Sequence, residues 1–177
     1  MPDFAFEGWS NTERLLTHWL ENSGTWCAVD PVDMMEAMPS FKQEVQNCFS
    51  GMGDGLFDSG WVNFSPGDNV ESEDWYYAFN DFRYRVVALR MTGADGSLVS
   101  EYTVGVKKPY VFGDPRHAIS HFGITMAQAE LQHLHTTGLA QNFIAMGIAH
   151  QYGSLGGLLG RLPYWWPAGA SSRPCVA

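Results

Sequence analysis

Leu15, Leu16, Trp19 and Leu20 fall at i, i+1, i+4 and i+5, which lines them along one face of a helix. Ser10-Asn11-Thr12-Glu13 just before them fits a capping box, in which the Ser10 hydroxyl accepts from the third helical amide and Glu13 reaches back to the Ser10 amide. Gly24 suits a left-handed stop, so the pattern predicts a helix from Asn11 to Asn22. Asp30-Pro31 supplies an N-cap and a first-position proline for a short helix from Val32 to Met38, interrupted by Pro39. A second capping box, Ser40-Phe41-Lys42-Gln43, precedes Phe41, Val45 and Cys48 at helical spacing, predicting a third short helix that runs to Gly51.

From Gly51 to Asp74 the glycines, Asp, Asn and Ser residues favour turns, with Trp61-Val62-Asn63-Phe64 as one apolar island in a long surface loop. Trp75 to Phe79 and Arg83 to Met91 are rich in aromatic and β-branched residues, and Gly93-Ala94-Asp95-Gly96-Ser97 reads as a turn leading to Leu98–Val106. The expectation is a β-hairpin within a three-stranded antiparallel sheet. Because neither face of Arg83–Met91 is wholly polar, helices are expected over part of each. Asp114-Pro115 caps a segment to His121, Thr125 with Gln128 caps Met126–Thr136, and Leu139–Tyr152 follows Gly138, so the last third reads as helical. The fold class is therefore α+β, with N-terminal short helices, a central antiparallel hairpin or three-stranded sheet, and C-terminal helices. One domain is expected over residues 1–162, with 163–177 as a tail that begins near Trp165-Trp166-Pro167.

Charge adds an asymmetry to this picture. Residues 1–81 hold 15 Asp+Glu against Arg14 and Lys42 (2 − 15 = −13), and residues 82–177 hold 8 Lys+Arg against 4 Asp+Glu (8 − 4 = +4), giving the net −9. An acidic part repels nucleic acid and attracts basic surfaces, which argues against direct nucleic-acid binding. With 45% hydrophobic and 14% aromatic residues in 177, the chain has enough apolar area for a core without a metal or disulfide. Cys27, Cys48 and Cys175 show no C-x-x-C spacing and read as reduced thiols, and Met1–Glu7 lacks the basic and apolar regions of a secretory signal, so a cytoplasmic location is expected. Residues 139–162 form a Gly-rich apolar stretch, but Gln141, Asn142, His150, Gln151 and Arg161 break it up too often for a membrane span. Its small-x-x-x-small spacing suits close packing of a helix, within the fold or in a homo-oligomer.

Catalytic motifs are scarce. His117 and His121 have i, i+4 spacing, and Glu130 or His133 on the next helix would complete a site for a divalent metal ion. Neither Ser59 nor Ser154 sits in a G-x-S-x-G elbow, and the glycines of Gly51–Gly55 lack the Lys-Ser/Thr of a phosphate loop. Arg83, Arg85 and Arg90 with Tyr84, Lys107, Lys108 and Tyr110 form either a basic aromatic patch on the hairpin or a solvated strand face.

Gly8-Trp9-Ser10-Asn11-Thr12-Glu13, followed by Trp19-Leu20-Glu21-Asn22, resembles a GWSN-x-E motif of small Trp-rich proteins encoded by phages, plasmids and some archaea. Leu15 stands where that motif usually has a Trp, and the resemblance implies origin rather than chemistry. Two function classes follow. The first is a non-catalytic, cytoplasmic interaction protein of phage or mobile-element origin that inhibits a host defence or nucleic-acid-binding protein with a basic surface. In it, Glu71, Glu73 and Asp74 occupy the basic surface while Trp61 and Trp75 anchor the contact, and no cofactor is used. Replacing the three carboxylates by Lys is then expected to abolish binding and spare stability. The alternative class is a small metal-dependent enzyme using His117, His121, Glu130 and His133.

Overall fold

A computed structural model describes residues 8–51, 53–66, 70–94, 98–111, 118–121 and 124–152, with the backbone alone at residues 49, 98–100, 118–121, 124–130 and 152. Helix α1 (Ser10–Leu20) begins one residue before the predicted start, and it buries Leu15, Leu16 and Trp19 as their spacing requires. Ser10 is its first residue rather than its cap: the preceding Trp9 makes no side-chain cap, and an acceptor from elsewhere in the chain serves the first turn. After the two-residue strand β1 (Cys27–Ala28), the expected Asp30-Pro31 start opens α2 (Pro31–Ala37), Asp30 Oδ1 accepting from the Val32 amide at 2.8 Å. Pro39 does not merely interrupt the chain. It opens α3 (Pro39–Phe49), where the missing proline N–H costs nothing because first-turn amides have no partner within the helix.

The Gly51–Asp74 segment is less irregular than expected. It contains β2 (Gly55–Asp58), β3 (Val62–Phe64) and the start of α4 (Glu73–Phe79). Trp75–Phe79 is thus helix and not strand: the Ser72 hydroxyl accepts from the Trp75 amide, Glu73 and Asp74 fill the first turn, and Trp75, Tyr77, Ala78 and Phe79 are buried. Aromatic residues favour strands by propensity, but here the cap and the core decide.

The hairpin is the part predicted most closely. β4 (Phe82–Thr92) and β5 (Leu98–Tyr110) pair antiparallel from Arg83↔Lys107 to Thr92↔Leu98. β6 (Ala118–His121) and β7 (Ile124–Ala127) form a separate antiparallel pair, replacing the expected helix up to His121, and α5 (Gln128–Thr136) follows. β8 (Phe143–Tyr152) replaces the expected helix over 139–152. An oligomer contact through a Gly-rich helix over 139–162 loses its basis for 143–152, and 153–162 lie outside the described residues, as does the tail 163–177.

The six-stranded sheet runs β1-β8-β5-β4-β2, with β3 pairing β4 beside β2. It is antiparallel throughout except for β1, which is parallel to β8. Phe82, Tyr84, Val86 and Ala88 of β4, Val104 and Val106 of β5, and Phe143 and Ala145 of β8 pack with Trp19, Met34, Phe41 and Phe79 of the helices in one core. The chain is thus α+β, with strands β1, β2 and β3 of the acidic part completing a sheet whose centre comes from the basic part. Cys48 is a free thiol. Cys27 is disulfide-bonded, not reduced, which removes the thiol argument for a reducing compartment. Cys175 lies outside the described residues. No helix among the described residues is long and apolar enough to cross a membrane.

A lysine ammonium reaches the core. Lys108 lies on the helix-facing side of β5 and donates to the Phe79 carbonyl, and burial holds it down to about 8, against a smaller upward pull from Asp81. Below about pH 8 both the folded and the unfolded chain keep this proton, and the cost of burying the charge is constant. Between about 8 and the ordinary 10.5 only the unfolded chain keeps it, so stability rises with pH. Tyr110 has the opposite sign: burial pushes its hydroxyl above the ordinary 10.0, so the folded chain keeps a proton that the unfolded chain loses. Urea melts are therefore expected to show stability rising from about pH 8 and turning down above about pH 10. Lys108→Met should flatten the rise, and a slope unchanged by that substitution would refute the assignment.

Candidate functional site

The helices cover one face of the sheet. The other is assembled by register, because residues directly opposite each other across a ladder share a face. Leu56, Leu89 and Glu101 form one row, and Asp58, Val87, Thr103 and His150 the next. Arg85, Gly105 and Ile148 follow, then Arg83, Lys107 and Met146, and at the end Pro109 and Ile144.

β8 makes this face unusual. Its core-facing residues are small beyond Phe143: Ala145, Gly147 and Ala149. Its large aliphatic residues point the other way, with Ile144 48%, Met146 41% and Ile148 67% exposed. Space explains the small set. The chain at Val29 crosses so close that a Cβ on Gly147 would stand 1.9 Å from the Val29 carbonyl oxygen. Space does not explain the large set. Exposed aliphatic residues in a row, two positions apart, form a contiguous apolar patch, which on soluble proteins marks a contact surface.

Trp61 lies on the same face. Its ring tip comes within 3.6 Å of the point a Cβ on Gly105 would occupy, and the Lys107 ammonium sits 3.9 Å from the ring centroid. A cation held against an indole gains from the ring quadrupole. The ring, 38% exposed, thus rests beside Ile148 in the middle rows. Around it the polar groups are mostly paired: Arg85 Nε donates to Asp58 Oδ1 at 2.9 Å and Arg85 Nη2 to Oδ2, while Thr103 Oγ1 and His150 Nδ1 are 2.7 Å apart. The Arg85 hydrogen bond, then the Gly60 amide, hold the Asp58 carboxyl down to about 2, so the pair stays ionised at any ordinary pH.

The five residues expected to bind a partner are not brought together. Trp61 is on the uncovered face, and α4 lies across the sheet from it. Trp75, at 4% exposure, is a core residue that stacks edge-on to Phe79 and offers almost no ring to a partner. Asp74 serves α1 from a distance: its carboxylate accepts from the Asn11 and Thr12 amides at 3.0 and 2.8 Å and from Asn11 Nδ2 at 2.9 Å. Glu71 does the same for α3, accepting from the Ser40 amide at 2.9 Å and the Ser40 hydroxyl at 2.7 Å. Glu73 is exposed on the first turn of α4. Asp54 likewise clamps Thr92, through its amide at 3.1 Å and its hydroxyl at 2.8 Å. Much of the acidic charge of residues 1–81 is therefore structural.

The histidine set fares differently. Glu130 and His133 do share α5, three residues apart. His121 closes strand β6, where residues four apart lie about 13 Å apart instead of the roughly 6 Å of a helical turn, so the spacing argument for His117 and His121 no longer holds. His117 itself lies outside the described residues. Among the described residues no three His, Cys, Asp or Glu side chains are grouped to hold a metal ion.

Of the proposed basic aromatic patch, Arg83, Arg85 and Lys107 share the uncovered face, whereas Tyr84, Lys108 and Tyr110 point into the core. Sequence reasoning missed the aliphatic row of β8. The signal was present as strict small–large alternation from Ala145 to His150, but with the large residues on the side away from the core. Comparison with protein-family models, with curated proteins and with solved structures yielded no match.

Proposed function

We propose that this protein is a non-catalytic interaction module that docks a protein partner on the uncovered face of its sheet and acts by occluding the partner's own binding surface. The observation that carries the reading is the exposed row Ile144, Met146 and Ile148 beside Trp61. An aromatic anchor among aliphatic residues, rimmed by paired charges, has the composition of an interface hot spot. The net charge of −9 favours a protein over nucleic acid as partner. The short N-terminal resemblance points to a bacterial host as the place to look, with a defence or nucleic-acid-binding protein as the kind of target. The acidic residues 1–81 contribute less directly than their charge suggests, since Asp74, Glu71 and Asp54 are engaged within the fold.

The test is capture from a bacterial lysate with wild type and with Trp61→Ala and Ile148→Lys, followed by titration of the purified captured protein. Each variant is expected to weaken binding at least tenfold. Ile148 is exposed, so Ile148→Lys should keep stability within about 0.5 kcal/mol of wild type. Undiminished affinity in both variants would reject the face as the docking surface.

A further inference from the structure

The aliphatic row lies beside two cations. Asn63, Arg83, Lys107 and Met146 stand opposite one another across β3, β4, β5 and β8, and Pro109 and Ile144 form the next row. Among the described residues these two rows hold two positive charges and no carboxylate, in a chain whose net charge is −9. Arg83 is exposed, and among the described residues neither it nor Lys107 makes an ion pair; the Asp58 carboxylate, two rows away, is taken by Arg85. Like charges directly opposite across a ladder destabilise a sheet. Trp61 offsets part of that cost by holding the Lys107 ammonium 3.9 Å from its ring centroid, which also fixes where the charge stands. Met146 joins the charged and apolar parts. Its carbonyl accepts from the Val29 amide and so turns away from β5, which makes Met146 and Lys107 a non-hydrogen-bonded pair, the closer of the two kinds, with Cα atoms about 4.5 Å apart. Ile144 and Ile148 flank Met146 at intervals of roughly 6.8 Å along β8.

We infer that the segment a protein partner seats on this face is acidic and amphipathic, with apolar side chains over Ile144, Met146 and Ile148 and carboxylates bridging Arg83 and Lys107. The inference rests on the reading of that face as a docking surface and adds the chemistry of its occupant. A carboxylate placed there relieves the repulsion between the two cations, so charge selects the partner alongside the apolar contact. Nucleic acid would also meet the cations and the indole, but it leaves the aliphatic row uncovered, and the net charge of the chain repels its phosphates.

The experiment uses the full chain and three labelled probes: a peptide of about ten residues alternating leucine with aspartate, whose leucines repeat at the spacing of the row, the same peptide with lysine for aspartate, and an oligothymidine of equal length. Fluorescence anisotropy is expected to show the aspartate peptide binding about tenfold more tightly than either of the others, with affinity falling at high salt. Arg83→Glu and Lys107→Glu should each weaken it about fivefold or more. The urea midpoint of Arg83→Glu should stay equal or rise, because a like-charge pair becomes an opposite one. Preference for the lysine peptide or the oligothymidine, or no binding of the aspartate peptide, would overturn the inference. So would a concentration-dependent dimer in sedimentation that Arg83→Glu dissolves, since a second copy of the chain would then be the occupant. In any of these cases, loss of partner capture by Trp61→Ala and Ile148→Lys would leave the docking surface standing, whereas intact capture by both would remove that reading too.

Discussion

Gly147→Ala is expected to destabilise the fold by about 3 kcal/mol, more than any other single-methyl change considered, even though alanine is a better strand and helix former than glycine. The added Cβ would stand 1.9 Å from the Val29 carbonyl oxygen, 2.9 Å from its carbon and 3.1 Å from Pro31 Cδ. Two of these three atoms are backbone, so no rotamer change relieves the contact. Either β8 or the Val29–Pro31 segment must move by more than 1 Å. The second is the weaker partner, because β1 is a two-residue strand that joins the sheet through Cys27↔Ala145, Ala28↔Met146 and the Val29 amide on the Met146 carbonyl at 3.0 Å. The expected outcome is loss of the parallel pairing, with accelerated amide exchange at Ala28 and Val29 and a fall in melting temperature of several degrees. Gly53→Ala provides the contrast: its Cβ meets nothing within 4 Å, and the change should be neutral or mildly stabilising through the unfolded chain. Equal urea midpoints for the two variants would show that Val29 does not cross β8 as described.

That glycine also shows why the C-terminal strand was hard to read. Between Ala140 and Tyr152 no polar stripe separates two faces, because the core side takes Ala145, Gly147 and Ala149 and the outer side takes Ile144, Met146 and Ile148. A helical interpretation of Ile144 and Ile148 at i, i+4 is as good by pattern as a strand, and only the partner strand β5 decides. The hairpin was legible because the turn at residues 93–97 and the aromatic and β-branched runs on either side are local signals. So were α1 and α2, where the apolar spacing and Asp30-Pro31 are written within a few residues. Trp75–Phe79 misled for the opposite reason: five residues rich in aromatic side chains resemble a strand until Ser72 is recognised as a cap.

The candidate site was legible in part. Trp61 stood out as an aromatic residue in a glycine-rich stretch, and it does lie on the uncovered face. The carboxylates were misjudged because their partners are remote in sequence: Glu71 serves Ser40, 31 positions away, and Asp74 serves Asn11, 63 positions away. No local window distinguishes a solvated acidic run from one whose members cap other helices, and only assembly of α4 against α1 reveals the difference.

Asp74 consequently carries the second large prediction, a loss of about 2 to 3 kcal/mol on Asp74→Ala. The amides at the start of an α-helix lack partners within the helix, and α1 has no side-chain cap of its own at Trp9. The Asp74 carboxylate accepts from two of those amides, at 3.0 and 2.8 Å, and places its negative charge at the positive end of the α1 dipole. Its own carbonyl accepts from the Thr12 hydroxyl at 2.8 Å, and Thr12 is buried, so the α1–α4 seam is held by both main-chain and side-chain groups. Removing the carboxylate strands two amides beside a buried threonine, which adds a desolvation cost to the lost cap. Asp74→Asn keeps one acceptor oxygen and should lose less, about 1 kcal/mol. Charge reversal at Glu71, Glu73 and Asp74 together is therefore expected to cost stability, where the sequence alone led us to expect it spared, whereas Glu73→Lys alone should be close to neutral. Chemical denaturation of the four variants gives the ordering directly. If Asp74→Ala unfolded at the same urea concentration as Glu73→Lys, the cap would contribute nothing, and the acidic run would regain its standing as free surface charge.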